Sequence, residues 1–308
     1  MPQLRYKRAC WKIFPAQALP FREGNLLRSD LERRSKTVAG IVTFNPELPR
    51  LKENIDAVVS QVSDLVVVDN GSTSNIRDNL ESTVSVLENE SNRGIAAALN
   101  QIVEWASDRG ADAVILLDQD SVIEPGTVLN LTNALTKGVA IASPQIVDRN
   151  LGSDGPRPNR DVNYSITSGS LLRVQDWRDV GGYDDRMFID FVDFDFCLRV
   201  REAGLRIVQV GDARLLHEIG HAQRAGKRIA YNHSSFRLRH MAQDMVYYAR
   251  KHRRAPRDLR VGGRGILLTY AVLARKAAIT LAYETDRWRR TSAIIRGTIA
   301  GTFVKVKS

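Results

Sequence analysis

AVILLDQD, residues 113–120, is the most informative stretch of this chain, because five apolar residues run directly into two aspartates, Asp118 and Asp120. A short apolar run bounded by polar residues is typical of a buried strand in a parallel sheet. In an open α/β sheet, ligands bind outside the carboxyl ends of the strands. The pattern therefore predicts a strand whose end carries two carboxylates at a ligand-binding edge.

Similar apolar runs alternate with amphipathic segments on both sides of this stretch. Strands are predicted at residues 38–44, 65–69, 84–87, 114–117, 139–143, 165–174 and 205–210. Helices are predicted on the apolar faces formed by Leu51, Ile55, Val58, Val59 and Val62, by Ile95, Leu99, Ile102, Val103 and Ala106, and over residues 188–201. Alternating strands and helices predict the α/β class, with an open sheet flanked by helices.

Length and composition predict an ordinary globular protein. The chain has 308 residues, of which 43% are apolar and 26% charged, enough for one or two domains. We predict one α/β domain at residues 37–224, between a basic extension at 1–36 and a basic helical region at 225–308. The two cysteines, Cys10 and Cys197, lack metal-like spacing and favour a reducing, cytoplasmic compartment.

The net charge of +10 is unevenly distributed along the chain. Residues 1–36 carry +6, residues 37–219 carry −12, and residues 220–308 carry +16. Two interpretations stay open: an acidic catalytic body with anion-seeking ends, or solvated charge that keeps the protein soluble. The pI of about 9.8 also suggests a basic nucleic-acid-binding protein. The acidic middle argues against a continuous surface for phosphates, so we expect no nucleic-acid partner.

The longest apolar stretch lies within Gly265–Tyr283, where Arg275 and Lys276 interrupt it. Spanning a bilayer takes about 20 predominantly apolar residues, so no transmembrane helix is expected. The basic N-terminus lacks the apolar core of a secretory signal. The apolar patches at 266–274 and 277–283 and the basic charge around them instead predict peripheral binding to an anionic membrane surface. In the alternative, these helices pack back on the acidic body and neutralise it.

Asp118 and Asp120 are candidate metal ligands, since paired hard oxygen donors suit Mg²⁺ or Mn²⁺ bound to a diphosphate. D-x-D is common by chance and usually marks a solvated turn, but its place after a buried strand favours the metal site. His217 lies four residues before His221, and Gly220 and the lack of a nearby third ligand argue against zinc. His217 is then either structural or a further contact to the metal or the phosphate.

Two polar loops are candidates for nucleotide contacts. Asp69-Asn70-Gly71-Ser72 ends a strand and contains the turn dipeptide Asn-Gly, yet Asp69 can also accept hydrogen bonds from a nucleobase or ribose. Asn92-Arg93-Gly94 precedes a helix. This second loop is either an N-cap with a permissive glycine or a segment that brings Arg93 to the nucleotide.

The densest acidic segment ends in FIDFVDFD, residues 188–195. Asp190 and Asp193 are three residues apart, so they share a face if this segment is helical. One interpretation is a desolvated carboxylate with a raised pKa that acts as general base on a sugar hydroxyl. The other is an acidic stripe that faces water while the phenylalanines face the core.

The informative motifs follow one another in a fixed order along the chain. They are VTFNP (42–46), VVVDNGS (66–72), SNRGIAAALN (91–100), LLDQDS (116–121), SGSLLR (168–173), GGYDDRMFIDFVDFDFCLR (181–199), LLHEIGH (215–221) and RWRRTSAIIRGTIAG (287–301). As a set they resemble glycosyltransferase family 2, and within it the bacterial rhamnosyltransferases, over roughly residues 37–300. The resemblance implies a GT-A fold, which is a Rossmann-like mixed sheet flanked by helices, here with a basic helical C-terminal region.

The resemblance also implies roles for single residues. Asp69 would contact the nucleobase, Asp118 the ribose side of the donor, and Asp120 the divalent cation, Mg²⁺ or Mn²⁺. Further donor contacts are implied for Thr43, Asn45, Asn70, Arg93 and Gly94, and a metal contact for His217.

Asp193 stands at the position of the family's catalytic base for an inverting displacement. Val192 replaces the Glu that many members carry, so Asp190 is a second candidate for part of that role. Relatives often have a tyrosine pair and an Arg-Asn in the region 237–244, where this chain has His240-Met241 and Gln243-Asp244. The resemblance therefore does not extend to acceptor recognition in that region.

The activity implied by the resemblance is transfer of L-rhamnose from dTDP-L-rhamnose to a hydroxyl of a cell-surface glycan precursor. The acceptor would be carried on a lipid, with the enzyme peripheral on the inner face of the cell membrane. A UDP-hexose or a furanose donor is the alternative within the family. A sugar nucleotidyltransferase would also have an α/β sheet, but with a glycine-rich phosphate loop after the first strand. This chain has Thr43-Phe44-Asn45-Pro46 at that place, which argues against this class of enzyme.

Overall fold

The computed structural model describes residues 36–148, 157–217, 223–225, 228–230, 233–263 and 265–306. The basic extension predicted at residues 1–36 therefore lies outside the described residues, except for Lys36. The described residues divide into two compact units, one over residues 36–217 together with 304–306, and one over residues 223–303. We call them the sheet unit and the helical unit. The domain bounds predicted from the sequence stay a prediction.

The sheet unit is built on one mixed sheet, in which nine strands lie within the described residues. The strands are β1 (Thr37–Thr43), β2 (Asp64–Asp69), β3 (Ser85–Glu88), β4 (Ala113–Asp118), β5 (Val122–Ile123), β6 (Val139–Asp148), β7 (Arg160–Asp161), β8 (Leu171–Arg173) and β9 (Arg206–His217). Their spatial order is β3-β2-β1-β4-β8-β6-β9-β5, with β7 beside β9. The strands β3, β2, β1 and β4 are parallel, and β8 runs antiparallel to its neighbours β4 and β6.

Continuous burial explains why the parallel strands read as apolar runs. Every residue of β1 is buried, as are residues 65–69 of β2 and 113–117 of β4. Strands of this kind are covered by helices on both faces, so neither face alternates with polar residues. The helices of this unit are α1 (Leu48–Val59), α2 (Ile95–Asp108), α3 (Thr127–Ala134), α4 (Val174–Asp179) and α5 (Val192–Glu202), with a 3-10 turn at Arg77–Asn79. The predicted α/β class is confirmed.

Some predicted elements differ from those observed. Val59, expected on the apolar face of α1, is 46% exposed, because the helix ends at this residue. The strand predicted over 165–174 is limited to β8. In contrast, β6 and β9 continue beyond the predicted ends at 143 and 210, because the two strands pair with each other through a bulge.

The helical unit contains α6 (Ser235–Lys251), α7 (Ile266–Tyr283) and α8 (Arg287–Phe303), with a short hairpin of β10 (Gln223–Ala225) and β11 (Arg228–Ala230) and a 3-10 turn at Val261–Gly263. The hydroxyl of Ser234 caps α6 by accepting from the Arg237 N–H at 3.2 Å. A small apolar core joins the three helices and consists of Leu238, Ala242, Val246, Leu273, Ala293 and Ile294. The helical character predicted for this region is thus present.

Two glycines let α8 pack closely on α6. A Cβ atom at Gly297 would overlap the carbonyl oxygen of Arg239, and one at Gly301 would overlap that of Gln243. Backbone atoms cannot yield as a flexible side chain can, so any side chain at either glycine would force the helices apart. The glycine side of α8 therefore faces α6, and its opposite side faces outward.

Within the described residues, α7 is long and apolar enough to cross a membrane by length and composition. The sequence predicts no transmembrane helix, because Arg275 and Lys276 interrupt this stretch, and both lie inside α7. Most of α7 is not buried inside the protein. Length and composition do not distinguish a spanning helix from one that lies along a surface, so the distinction rests on the contacts of α7 with its neighbours.

Candidate active site at the carboxyl edge of the sheet

Three of the predicted site residues meet at the ends of neighbouring strands. In the parallel register, Thr43 of β1 pairs with Asp69 of β2, and Val42 of β1 pairs with Asp118 of β4. Thr43 and Asp69 are buried, whereas Asp118 is half-buried. The shared edge predicted for these residues is therefore present, and their roles toward a ligand stay a prediction.

Ser72 links the loop after β2 to the loop after β1. Its hydroxyl donates to Asp69 Oδ1 at 2.5 Å, and its N–H donates to the same oxygen at 3.2 Å. The Ser72 hydroxyl also accepts from the Asn45 N–H at 2.7 Å, and Asn45 Oδ1 accepts from the Thr73 N–H at 2.9 Å. These bonds fix the Asp69 carboxylate at the strand end and hold Asn45 beside it.

Asn70, which is 3% exposed, organises the loop that precedes α2. Its Oδ1 accepts from the Arg93 N–H at 3.0 Å, and its Nδ2 donates to Asn92 Oδ1 and to the Gly94 carbonyl, each at 3.1 Å. The N-cap of α2 is Gly94, which has a φ of 85° and no side-chain cap, so the interpretation of this loop as an N-cap with a permissive glycine agrees with the structure. Asn70 and Gly94 thus build the loop, while Arg93 is exposed on it.

Gly94 is also where this loop meets the acidic segment. Its φ of 85° lies in the region that favours glycine, and a Cβ atom there would lie 2.8 Å from the Phe188 carbonyl oxygen. The same carbonyl accepts from the Ile95 N–H at 2.7 Å. A side chain at position 94 would therefore displace the segment that leads to Asp190 and Asp193.

Polar partners fix the backbone of the D-x-D motif. Asn54 Nδ2 donates to the Asp118 carbonyl at 2.7 Å, and the Asp118 N–H donates to Ser168 Oγ at 3.0 Å. These bonds hold the backbone around Asp118 in place. They therefore fix the position from which the half-buried side chains of Asp118 and Asp120 extend at the end of β4. Neither Asn54 nor Ser168 is predicted from the sequence to act at the site.

The donor chemistry of this motif fits a hard divalent cation. Mg²⁺ is commonly held by one or two carboxylates together with substrate phosphates, and Asp118 and Asp120 supply two carboxylates. β5 pairs antiparallel with the end of β9, with Val122 opposite Leu216, so the backbone of His217 lies one residue beyond this pair, at the end of β5 that is nearer to Asp120 in the chain. The side chain of His217 lies outside the described residues. Among the side chains that are described, no cluster of three His, Cys, Asp or Glu residues could hold a metal.

The acidic segment is only partly helical, which corrects the shared helical face predicted for Asp190 and Asp193. The helix predicted over 188–201 begins at Val192, and its N-cap, Phe191, has a left-handed φ of 66°. Asp190 therefore precedes the helix. Asp193 lies in the first turn of α5, where the Phe194 N–H donates to its Oδ1 at 2.8 Å.

Burial raises the pKa of the Asp193 carboxyl to about 7, and the charges of Asp190 and Asp118 act in the same direction. The hydrogen bond from the Phe194 N–H acts against them and lowers the pKa. A carboxylate with a pKa near neutrality suits a general base, because it is ionised at working pH and still binds a proton well. The negative charge of Asp118, in the D-x-D motif, therefore acts on Asp193.

Asp195, two residues further along α5, is structural. It is fully buried and pairs with Arg199, whose Nη2 and Nε lie 2.7 and 2.9 Å from Asp195 Oδ2. Arg199 Nη1 also donates to the Val180 carbonyl at 2.5 Å. The ion pair therefore orients Arg199 within α5, and the bond from Arg199 to Val180 joins this helix to the segment before it.

Asn100 is a positioning residue for which the sequence predicts no role. Its Oδ1 accepts from the Tyr183 N–H at 2.8 Å, and its Nδ2 donates to the Tyr183 carbonyl at 2.9 Å. The amide thus holds both polar groups of one peptide residue and attaches the start of the acidic segment to α2. The feature of the sequence that could have indicated this role is the polar amide of Asn100 within the apolar stretch IAAALNQIV of α2.

Two sequence comparisons relate the chain to known proteins. The family described as Glycosyl transferase family 2 matches residues 39–195, which is about half of the chain. A curated relative, the dTDP-rhamnosyl transferase RfbF of Shigella flexneri, is 30% identical over 207 residues, covering 60% of this chain and 70% of the relative. The family match over residues 39–195 contains the site candidates from Thr43 to Asp193 and ends before His217.

Solved structures share the fold. S. aureus TarS 1–349 in complex with UDP-GlcNAc matches with a TM-score of 0.58 and 15% identity, covering 85% of this chain and 81% of that chain. GalNAc-T7 with UDP, GalNAc and Mn²⁺ matches with a TM-score of 0.54 and 13% identity, covering 82% of this chain and 59% of that chain. At these identities the likeness shows the fold alone, which is the GT-A fold expected from the motifs.

Proposed function

Because the chain belongs to glycosyl transferase family 2, we propose that it transfers L-rhamnose from dTDP-L-rhamnose, with inversion, to a hydroxyl of a cell-surface glycan precursor. One observation carries the reaction class: a carboxyl whose pKa is raised to about 7, Asp193, lies within electrostatic range of Asp118 in the D-x-D motif. The choice of donor is supported by the 30% identical relative described as a dTDP-rhamnosyl transferase.

In this reaction Asp193 takes the proton of the acceptor hydroxyl. The hydroxyl oxygen forms a bond to the anomeric carbon of the donor, and the bond from that carbon to the diphosphate oxygen breaks. The proton stays on the Asp193 carboxyl, and the electron pair leaves with the nucleoside diphosphate. A pKa near 7 allows Asp193 to be ionised before the step and protonated after it.

Asp118 and Asp120, with His217, would hold Mg²⁺ or Mn²⁺. When bound, such an ion stabilises the charge that develops on the departing diphosphate. The Mn²⁺ in the solved GalNAc-T7 structure supports this part of the proposal, as does the oxygen-rich donor set at the end of β4.

The strand-end loops would bind the nucleotide. Asp69, oriented by Ser72, would accept hydrogen bonds from the nucleobase, and Thr43 and Asn45 lie on the adjacent loop. Arg93 would contact the donor from the loop that Asn70 and Gly94 shape. In this assignment Asn70 and Gly94 act through the loop, because both are buried within it.

A UDP-hexose or furanose donor is the second candidate, and the solved TarS complex with UDP-GlcNAc favours keeping it. The deciding experiment measures thermal stabilisation of the purified chain by dTDP-L-rhamnose, UDP-hexoses and UDP-furanoses, each with Mn²⁺, against dTDP and UDP alone. Ligand binding to the native state raises the transition temperature by mass action. Stabilisation and turnover with a UDP-sugar, and none with dTDP-L-rhamnose, would replace the proposed donor. A product that retains the donor's anomeric configuration would exclude single displacement.

The proposed location is the inner face of the cell membrane, with a lipid-linked acceptor. The support for it is the +16 charge of residues 220–308, since each Lys or Arg near an anionic surface contributes about 1 kcal/mol. The expected absence of nucleic-acid binding stays a prediction, which a salt-dependent mobility shift on mixed DNA would test.

A further inference from the structure

The helical unit carries large apolar side chains on its exposed surface. On α8 these are Trp288, Ile295, Ile299 and Phe303, which are 72%, 50%, 54% and 81% exposed. On α7, Leu267 is 86% exposed and Leu268 is 51% exposed, and Tyr283 at its end is 75% exposed. We call the four residues of α8 the outer stripe.

The outer stripe is one continuous face of the helix. Its members follow one another at spacings of seven, four and four residues, which in an α-helix keeps them on one side. The opposite side of α8 packs on α6 through Gly297 and Gly301, and Ala293 and Ile294 belong to the core. Helix packing within the helical unit therefore turns the outer stripe away from α6 and from the core of this unit.

Basic residues accompany the stripe. Arg287, Arg289 and Arg296 of α8 are all exposed. Arg289 and Arg296 lie one residue after Trp288 and Ile295, and one position along an α-helix is a rotation of about 100°, which places both at the same edge of the stripe. An apolar face with aromatic residues and an arginine edge has the composition of a helix that lies in the interface of an anionic bilayer.

The contacts of α7 favour lying on a bilayer over crossing it. Lys276, near the middle of α7, bonds to Glu284 Oε1 at 2.7 Å. Leu273, Thr269 and Thr280 are buried. A spanning α7 would have to leave this packing and take Lys276 into hydrocarbon, where a charge is costly.

We propose that the helical unit docks on an anionic lipid bilayer through the outer stripe, with the exposed leucines of α7 at the same interface and the arginines at the level of the lipid phosphates. This assigns a surface and an orientation to the membrane contact, and it does not rest on which sugar donor the enzyme uses. The apolar side chains enter the boundary of the acyl chains, while neither helix crosses the bilayer.

The test is flotation of the full-length protein with vesicles of phosphatidylglycerol and phosphatidylcholine, and with phosphatidylcholine alone. The double variant Ile295→Ser, Ile299→Ser removes apolar contact from the stripe. We expect its partition coefficient on anionic vesicles to fall by at least about tenfold. The matched control is Val59→Ser, Leu129→Ser, which changes two exposed apolar residues of the sheet unit and should bind like the unchanged protein.

The same flotation assay tests the role of charge with the double variant Arg289→Glu, Arg296→Glu. The control is Lys52→Glu, Lys137→Glu, which changes two exposed lysines of the sheet unit. The arginine variant should lose binding, and the binding of the unchanged protein should weaken as salt rises. All variants should retain donor-induced thermal stabilisation, which would show that their fold and nucleotide site are intact. This control keeps the test of membrane binding separate from the test of donor identity.

The depth of Trp288 in the bilayer is measured by fluorescence quenching with brominated lipids. The contribution of Trp288 is the difference in tryptophan fluorescence between the unchanged protein and Trp288→Phe. This contribution should be quenched most strongly when the bromine lies near the headgroups. Equal binding by the stripe variant and its control would overturn the proposal. So would equal binding to neutral vesicles, or protein that resists alkaline extraction as a spanning helix does.

Discussion

Asp193 has a pKa that the negative charge of Asp118 raises, although the two residues belong to different elements and lie 75 residues apart in the chain. The first is in α5 and the second ends β4, so the candidate base and the candidate metal motif belong to one site. Neighbouring negative charge and burial both disfavour ionisation of Asp193, and a bound cation beside Asp118 would act in the opposite direction.

Asp193→Asn is expected to lower kcat by about 10²–10⁴-fold, because an amide keeps the shape but cannot accept the acceptor proton. Donor binding, followed by thermal stabilisation, should change little. Asp185→Asn, an exposed aspartate in the same segment, is the control and should stay active. Loss of donor binding in Asp193→Asn would indicate a structural role instead.

Asp190→Asn is expected to move the midpoint of the kcat–pH profile to lower pH. The Asp190 charge raises the pKa of Asp193, so its removal makes the base ionise more readily. The measurement is kcat from pH 5 to pH 9 for both proteins, at saturating donor. If Asp190→Asn is inactive and Asp193→Asn is not, the base is Asp190.

Asp193→Asn is also expected to raise the melting temperature at pH 8. The pKa of Asp193 is raised from 3.8 to about 7 in the folded chain, so its stabilising contribution is complete below about pH 4 and lost as pH rises through 7. At pH 8 the unchanged protein carries a desolvated charge that the amide lacks. Calorimetry without metal at pH 8 and pH 4 should show a smaller difference between the proteins at pH 4.

Asp120→Ala is expected to abolish metal-stimulated turnover, because a site with two protein carboxylates cannot lose one and hold the cation well. The measurement combines activity across a Mn²⁺ titration with paramagnetic resonance of bound Mn²⁺ in the presence of dTDP. Asp56→Ala, an exposed aspartate of α1, is the control. Turnover that survives both this change and a chelator would remove the metal from the mechanism.

Asn100→Ala is expected to lower kcat by about tenfold or more with a smaller effect on donor affinity. Two hydrogen bonds to the Tyr183 backbone disappear, each contributing about 0.5–1.5 kcal/mol, and the segment leading to Asp193 loosens. Asn130→Ala removes a comparable amide bond, to the Asp212 carbonyl, away from this segment. Equal effects of both variants on kcat would indicate general destabilisation.

The strand ends of the site could be predicted because local pattern determines them. The apolar runs 65–68 and 113–117 are each followed directly by an aspartate, and parallel pairing brings those ends together. The left-handed φ of Phe191 could not be predicted in this way, since a buried aromatic residue adopts it only when tertiary contacts compensate its cost. The bond from Asn100 to Tyr183 joins residues 83 positions apart, beyond the range of helical or strand periodicity.

Gly297 and Gly301 give the two sides of α8 unequal freedom to change. A single added methyl group on the side toward α6 would meet backbone, so that side is closed to substitution. On the other side, the side chains of Ile295 and Ile299 are about half exposed, so they can be replaced without a clash with the backbone of α6. The two glycines therefore allow α8 to pack against α6 in only one rotation about its own axis. Redesign of the outward residues could match the protein to a different surface without altering how the helix is seated.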